Sequence, residues 1–361
     1  MAQQSLSPST LPAINWDRWL GWRCVETNIQ TRRREPLLDA AMYTLRFDDF
    51  ASGIKKVTAK VPAQIEPGVD ALFVATQQRL WDAMNWLSLQ YSAGAPVEQI
   101  REVWPYALRW AEEYAMFHEA HHLDPNNHGG IVPHTALRTE DYWVVAIRLL
   151  CFGLLTGYVD ELPRVMRFLD YGNELMNVRD GLLERLVAPF LPGRGTAPDT
   201  CARHLPYRKL FKVFAAEPNQ RPALMARYLS EWYEASRREP YVKQHEEGGV
   251  LFYGYWSWEA AATVWVLKID DSSFRDMRFY PRDLVDFARS LDGGMAGDAR
   301  AEKRRPNVPA GQTCPEAGWW FTPAQTNSRR YFKQGEAMPS LGGDYGLTFW
   351  QWSSDQSAPT L

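Results

Sequence analysis

The sequence has no excess of positive charge. Forty lysines and arginines face 43 aspartates and glutamates, for a formal net charge of −3 and a pI near 6.2. A protein that gripped phosphates would need a basic footprint, so this balance argues against nucleic acid as a direct ligand. Cysteine is scarce as well. Cys24, Cys151, Cys201 and Cys314 are scattered without a CxxC pair, which argues against a zinc ribbon and a disulfide framework and fits a reducing, cytoplasmic setting. Residues 1–24 lack the basic start and unbroken apolar run of a secretory signal, carrying polar residues and Trp16, Trp19 and Trp22 instead. The most apolar stretch, Tyr142 to Leu155, is interrupted by Arg148 and is shorter than a bilayer requires. It reads as a buried core helix, and no membrane partner is expected. No G-x-S-x-G, phosphate-binding loop or G-x-G-x-x-G is present, so acyl-transfer and nucleotide chemistry have no foothold. Gly193-Arg194-Gly195 reads as a loop.

What the chain does have is apolar and aromatic bulk. Of 361 residues, 45% are hydrophobic and 13% aromatic, with sixteen tryptophans. That suffices for one large domain or two packed ones, with large rings to bury or to present to a partner. Residues 1–15, rich in Ser, Pro and Gln, are expected to be disordered. Leu80, Met84, Leu87 and Tyr91 recur at helical spacing within Ala71 to Tyr91, and Gly94 and Pro96 end that pattern. A second helix is expected from Val97 to His122, and a third, nearly all apolar and capped by Thr139, from Thr139 to Gly157. Further helices are expected over Leu162 to Phe190, Pro222 to Arg237, Trp256 to Leu267 and Pro281 to Ser290. Beyond a linker at residues 293–310, short aromatic segments (Trp319-Trp320-Phe321, Tyr331-Phe332 and Leu347 to Trp352) read as strands, with Gly342-Gly343-Asp344 as a turn. The expected fold is mainly α, a helical bundle or irregular helical array with a small C-terminal β appendage. Its expected divisions are an N-terminal helical region at 16–138, a C-terminal helical domain at 139–292, the linker, and the appendage at 311–355.

One motif invites an enzymatic reading. His118-Glu119-Ala120-His121-His122 satisfies H-E-x-x-H. On a helix, His118 and His122 lie one turn apart and could bind zinc while Glu119 served as base, with His128 at the third-ligand position of the extended pattern. The departure is Pro125, which stands where that pattern needs Gly. A residue locked near φ of about −65° cannot adopt the positive φ of such a turn. The alternative reading is a polar helix end rich in histidine. Neither a metal nor another cofactor is therefore expected, and no catalytic residue is assigned.

Three blocks carry more information than that motif. They are Gly254-Tyr255-Trp256-Ser257-Trp258-Glu259-Ala260-Ala261-Ala262, Ile269-Asp270-Asp271-Ser272-Ser273-Phe274, and Phe279-Tyr280-Pro281-Arg282-Asp283-Leu284-Val285. In order and spacing they resemble the C-terminal signature of the PoNi family, most strongly over residues 240–290. PoNi proteins are helical immunity proteins encoded beside PoNe toxins, DNases of the restriction-endonuclease-like superfamily. The tail from Cys314-Pro315 to Met338-Pro339 is also similar to appendages of immunity proteins in polymorphic toxin systems.

The resemblance implies a cytoplasmic, non-enzymatic protein that neutralises a cognate toxin, a nuclease delivered by type VI secretion, by occluding its active site or substrate groove. Self-association is left open. The rival classes are a zinc-dependent hydrolase using the histidine motif and a helical adaptor with no toxin partner. Taken as residues, Glu259 could charge the first turn of its helix, Asp271 could cap a helix beginning at Phe274, and Tyr280-Pro281 could start another. A nuclease groove is basic, so carboxylates and aromatic anchors suit its inhibitor. The candidate toxin-binding residues are Glu246, Glu247, Tyr255, Glu259, Asp270 and Asp271.

Overall fold

The computed structural model describes residues 11–24, 26–62, 72–126, 132–170, 178–246, 252–293, 308–322, 328–341 and 348–353. The Gly342-Gly343-Asp344 turn, most of the expected linker and the first ten residues lie outside that set. The chain divides into two compact units, Met1–Met295 and Ala296–Leu361. The described residues of the first are helical and those of the second form a four-stranded sheet, so the protein is mainly α with a small C-terminal β appendage.

The helical unit begins with two short helices, α1 (Trp16–Leu20) and α2 (Glu26–Arg32). Three long ones follow: α3 (Ala40–Thr58), α4 (Phe73–Ser92) and α5 (Val97–Leu123). Helix α3 starts at Asp39, whose carboxylate accepts the Met42 N–H, an ordinary N-cap. Helix α4 packs between α3 and α5, and Trp19, Phe47 and Trp86 meet there, all nearly inaccessible. Trp22 stacks on both Trp19 and Trp86. Part of the aromatic excess is therefore core. Helix α5 continues through Pro105, which has no N–H to give the Arg101 carbonyl. The Tyr158 hydroxyl donates to that carbonyl instead, at 2.9 Å.

The apolar stretch forms α6 (Glu140–Leu155), buried almost end to end. Thr139 stands at its N-cap position but makes no side-chain capping bond. Helices α7 (Leu162–Asp170), α8 (Gly181–Val187), α9 (Phe211–Ala215), α10 (Arg221–Ala235), α11 (Trp258–Val266) and α12 (Arg282–Gly293) complete the unit. Helix α11, with Ala260, Ala261 and Ala262 wholly buried, lies against α6. Small side chains there permit close approach of the two helices. Residues 271–279 form turns, not the helix expected from Phe274, and the Asp271 carboxylate is engaged by the side chains of Arg275, Tyr280 and Arg289.

In the second unit, β1 (Val308–Pro309), β2 (Gly318–Phe321), β3 (Arg330–Phe332) and β4 (Phe349–Trp352) pair antiparallel in the order β1-β4-β2-β3. The strand β1 falls in the expected linker, where two residues around Pro309 offer no period to read. Trp320, Phe332, Trp350, Met338 and Cys314 make a separate small core.

Candidate partner-binding surface

The residues of the three sequence blocks converge on the end of the helical unit where the loop before α11 meets α4, and most of them face inward. Gly254 shows why that loop has its sequence. Its φ is +102°, and a Cβ there would lie 2.1 Å from the Ser92 hydroxyl, so only glycine fits. Ser92 then donates to the Tyr253 carbonyl at 2.6 Å and accepts the Trp256 indole N–H at 2.8 Å. Tyr255 is buried: its N–H donates to the Glu35 carboxylate at 3.0 Å, and its hydroxyl lies 2.6 Å from His245 Nδ1. Glu35 is itself buried, and burial raises its pKa.

Glu259, in the first turn of α11, is enclosed. One of its oxygens accepts from the Tyr228 hydroxyl, the Trp232 indole and the Ser257 hydroxyl, each at 2.7 Å. Burial pushes its pKa up, while three donors satisfy the carboxylate in place of water. Asp271 is buried as well. It accepts from Arg275 at 3.0 Å, Arg289 at 2.8 Å and the Tyr280 hydroxyl at 2.9 Å. Arg275 continues to Asp286, and Arg289 also donates to the Ile269 carbonyl at 2.8 Å. Asp271 thus ties the 269–280 loop to α12, a tertiary role where local sequence suggested a cap.

The remaining candidates lie outside this interior. Asp270 is exposed and accepts the Ser272 N–H at 3.0 Å, a bond that lowers its pKa. Glu246 is exposed, with the Lys243 ammonium 3.9 Å away. Glu247 lies outside the described residues. The structure therefore brings Tyr255, Glu259 and Asp271 into the scaffold and leaves Glu246 and Asp270 on the surface.

Several residues that hold this region have no local sequence signal. Arg34 pairs with Asp283, donates to the carbonyls of Tyr91 and Ala95, and lies over the Tyr91 ring. It joins α12 to the turn between α4 and α5, across a sequence separation that no periodicity reveals. Asp180 caps α8 by accepting from Leu182 and Leu183, and also takes the Ala202 N–H at 2.6 Å; burial lifts its pKa to about 6. Arg194, expected to sit in a plain loop, grips both oxygens of Asp170 and reaches buried Glu184.

The histidine motif sits at the C-terminal end of α5. His118 is buried against Phe73, Tyr114 and His134, and its ring centroid is 4.3 Å from that of His122. Burial, reinforced by the neighbouring histidines, depresses His118 to about 3, and burial depresses His134 to about 4. The third position, His128, lies outside the described residues. Among the described residues no three His, Cys, Asp or Glu side chains are arranged to hold a metal ion. No described helix is long and apolar enough to cross a membrane.

Comparison with known proteins places this geometry. The fold is similar to that in the crystal structure of protein PA2201 from Pseudomonas aeruginosa, with a TM-score of 0.62 and 20% sequence identity over 78% of this chain and 99% of that one. No curated protein sequence matches the chain. The model for the C-terminal region of PoNe immunity proteins (PoNi) matches residues 178–284. The match starts beside the Asp180 cap and ends in α12. It therefore takes in Glu259 with its three donors and Asp271 with Arg275 and Tyr280, but not Arg289, and it reaches well upstream of residue 240. Over that stretch the chain is PoNi-like.

Proposed function

We propose that this protein binds and neutralises a PoNe-type toxin, a nuclease delivered by type VI secretion, in the cytoplasm and without catalysis of its own. The observation that carries the reading is the PoNi match over residues 178–284. The physical case rests on surface chemistry. An inhibitor of a nuclease must satisfy a groove built for phosphates, and exposed carboxylates attract such a groove from a distance and speed association. Glu246 and Asp270, both exposed, are the candidate acids that would make that contact. Tyr255, Glu259 and Asp271 serve by fixing the loops that carry them.

Co-expression with the toxin encoded by the adjacent gene tests the function. The intact protein should restore growth and co-purify with the toxin. A variant with Glu246→Lys and Asp270→Lys should keep its helical circular dichroism but bind at least tenfold more weakly, with a flatter salt dependence. Failure of the intact protein to protect would reject the immunity reading, whereas unchanged binding by the double variant would move the interface elsewhere. A His118→Leu, His122→Leu variant that stays folded should protect as well as the parent, and its failure to do so would revive the metallohydrolase alternative.

A further inference from the structure

A polar cleft of about 230 Å³ opens where the segment from Gly21 to Arg32 crosses α3 and the turn between α4 and α5, and Trp22, Arg23, Arg32, Tyr43, Gln90 and Gln99 contribute to its walls. Its floor is ordered by hydrogen bonds. The Tyr43 hydroxyl accepts the Cys24 N–H at 2.8 Å and donates to Gln90 Oε1 at 2.9 Å. The Gln90 amide nitrogen in turn donates to Gln99 Oε1 at 3.1 Å. Tyr43 and Gln90 are 1% and 2% exposed, so this floor is fixed before any ligand arrives. With its oxygen engaged by Gln90, Gln99 offers its amide nitrogen as a donor.

The charge of the walls is one-sided. Arg23 and Arg32 line the cleft and no acidic side chain does, among the described residues. Arg23 is shared with Asp48 at 2.8 Å, but both side chains are about half exposed, and such a pair is weak and open to exchange. Arg32 has no carboxylate partner among the described residues, and its position is set by the backbone. Gly94 has φ of +87°, and a Cβ there would stand 2.0 Å from the Arg32 carbonyl oxygen, so the turn after α4 rests directly on the end of α2.

We infer that this cleft binds a small organic anion, one carrying a carboxylate or phosphate group. Two arginines and carboxamide donors lining a preformed polar floor match an oxyanion and repel a cation. The volume lies below that of drug-sized pockets, so the ligand is small. The inference goes beyond toxin inhibition and does not depend on it.

Calorimetric titration of the full-length protein at low ionic strength tests it, with succinate and inorganic phosphate as probes and succinamide as a neutral control. At least one anion should saturate a single site while succinamide gives no binding, and the tighter of the two identifies the class. Arg32→Gln should weaken that anion at least tenfold. Gln99→Glu, which keeps the acceptor for Gln90 but adds a negative charge, should abolish binding. Arg32 is exposed, so its variant should melt with the parent in the absence of anion. The inference is overturned if neither anion binds saturably, or if the bound anion is held equally well by both folded variants.

Discussion

Adjacent aspartates do opposite work in this protein. Asp271 is buried and accepts from two arginines and a tyrosine, whereas Asp270 is exposed and caps its own turn. Truncating a buried charged partner leaves cations without their counter-charge, at a cost that reaches 3 to 5 kcal/mol. Because Arg275 and Arg289 are partly exposed and keep other acceptors, Asp271→Ala should fall at the low end, about 3 kcal/mol. Asp270→Ala should cost no more than about 0.5 kcal/mol. Urea unfolding of the two variants checks both values, and equal losses would contradict the assignment. The histidines give a second prediction at this scale. His118 and His134 have folded pKa values of about 3 and 4, below the ordinary value near 6.5 of the unfolded chain. Below pH 6.5 the unfolded chain therefore binds protons that the native state refuses, so stability is full above pH 6.5 and falls as the pH drops from there toward 4. Thermal unfolding at pH 7.5 and pH 5 should show this loss, and His118→Leu with His134→Gln should make the two melting temperatures more nearly equal.

At the scale of elements, helix identity was legible wherever side chains repeat along one face. Ala71 to Tyr91 was expected and Phe73–Ser92 is observed; Val97 to His122 was expected and Val97–Leu123 is observed. The helix expected at Phe274 is a run of turns whose Asp271 carboxylate is held by arginines and a tyrosine instead of capping a helix. Helix α5 poses the inverse case, since it runs unbroken through Pro105 while the Tyr158 hydroxyl serves the carbonyl that proline strands. Tyr158→Phe should leave that acceptor short of a partner and destabilise the protein by about 1 kcal/mol. Chemical denaturation measures the change, and the same variant in a Pro105→Ala background should cost less, because an alanine N–H can then reach the Arg101 carbonyl.

For the whole molecule, each of the two units has a hydrophobic core of its own. A chain ending at Met295 should keep its helical circular dichroism and melt within about 2 °C of the main transition of the full chain, a shift that corresponds to about 1 kcal/mol in a domain this large. Loss of helical structure on truncation would show instead that the appendage is required for folding. By itself the sequence determined the mainly helical class, the burial of the Tyr142–Leu155 stretch, the aromatic strands near the C-terminus and the PoNi resemblance. Each rests on periodicity, composition or fixed spacing along the chain, which survive without coordinates. Only the tertiary structure decided which candidate residues lie on the surface and which hold the scaffold. A carboxylate reads the same in one dimension whether it faces solvent, as Asp270 does, or three buried donors, two on α10 and one just before α11, as Glu259 does. The difference lies in desolvation and in partners far along the chain, such as Glu35, 220 residues from Tyr255, and neither is written in local sequence.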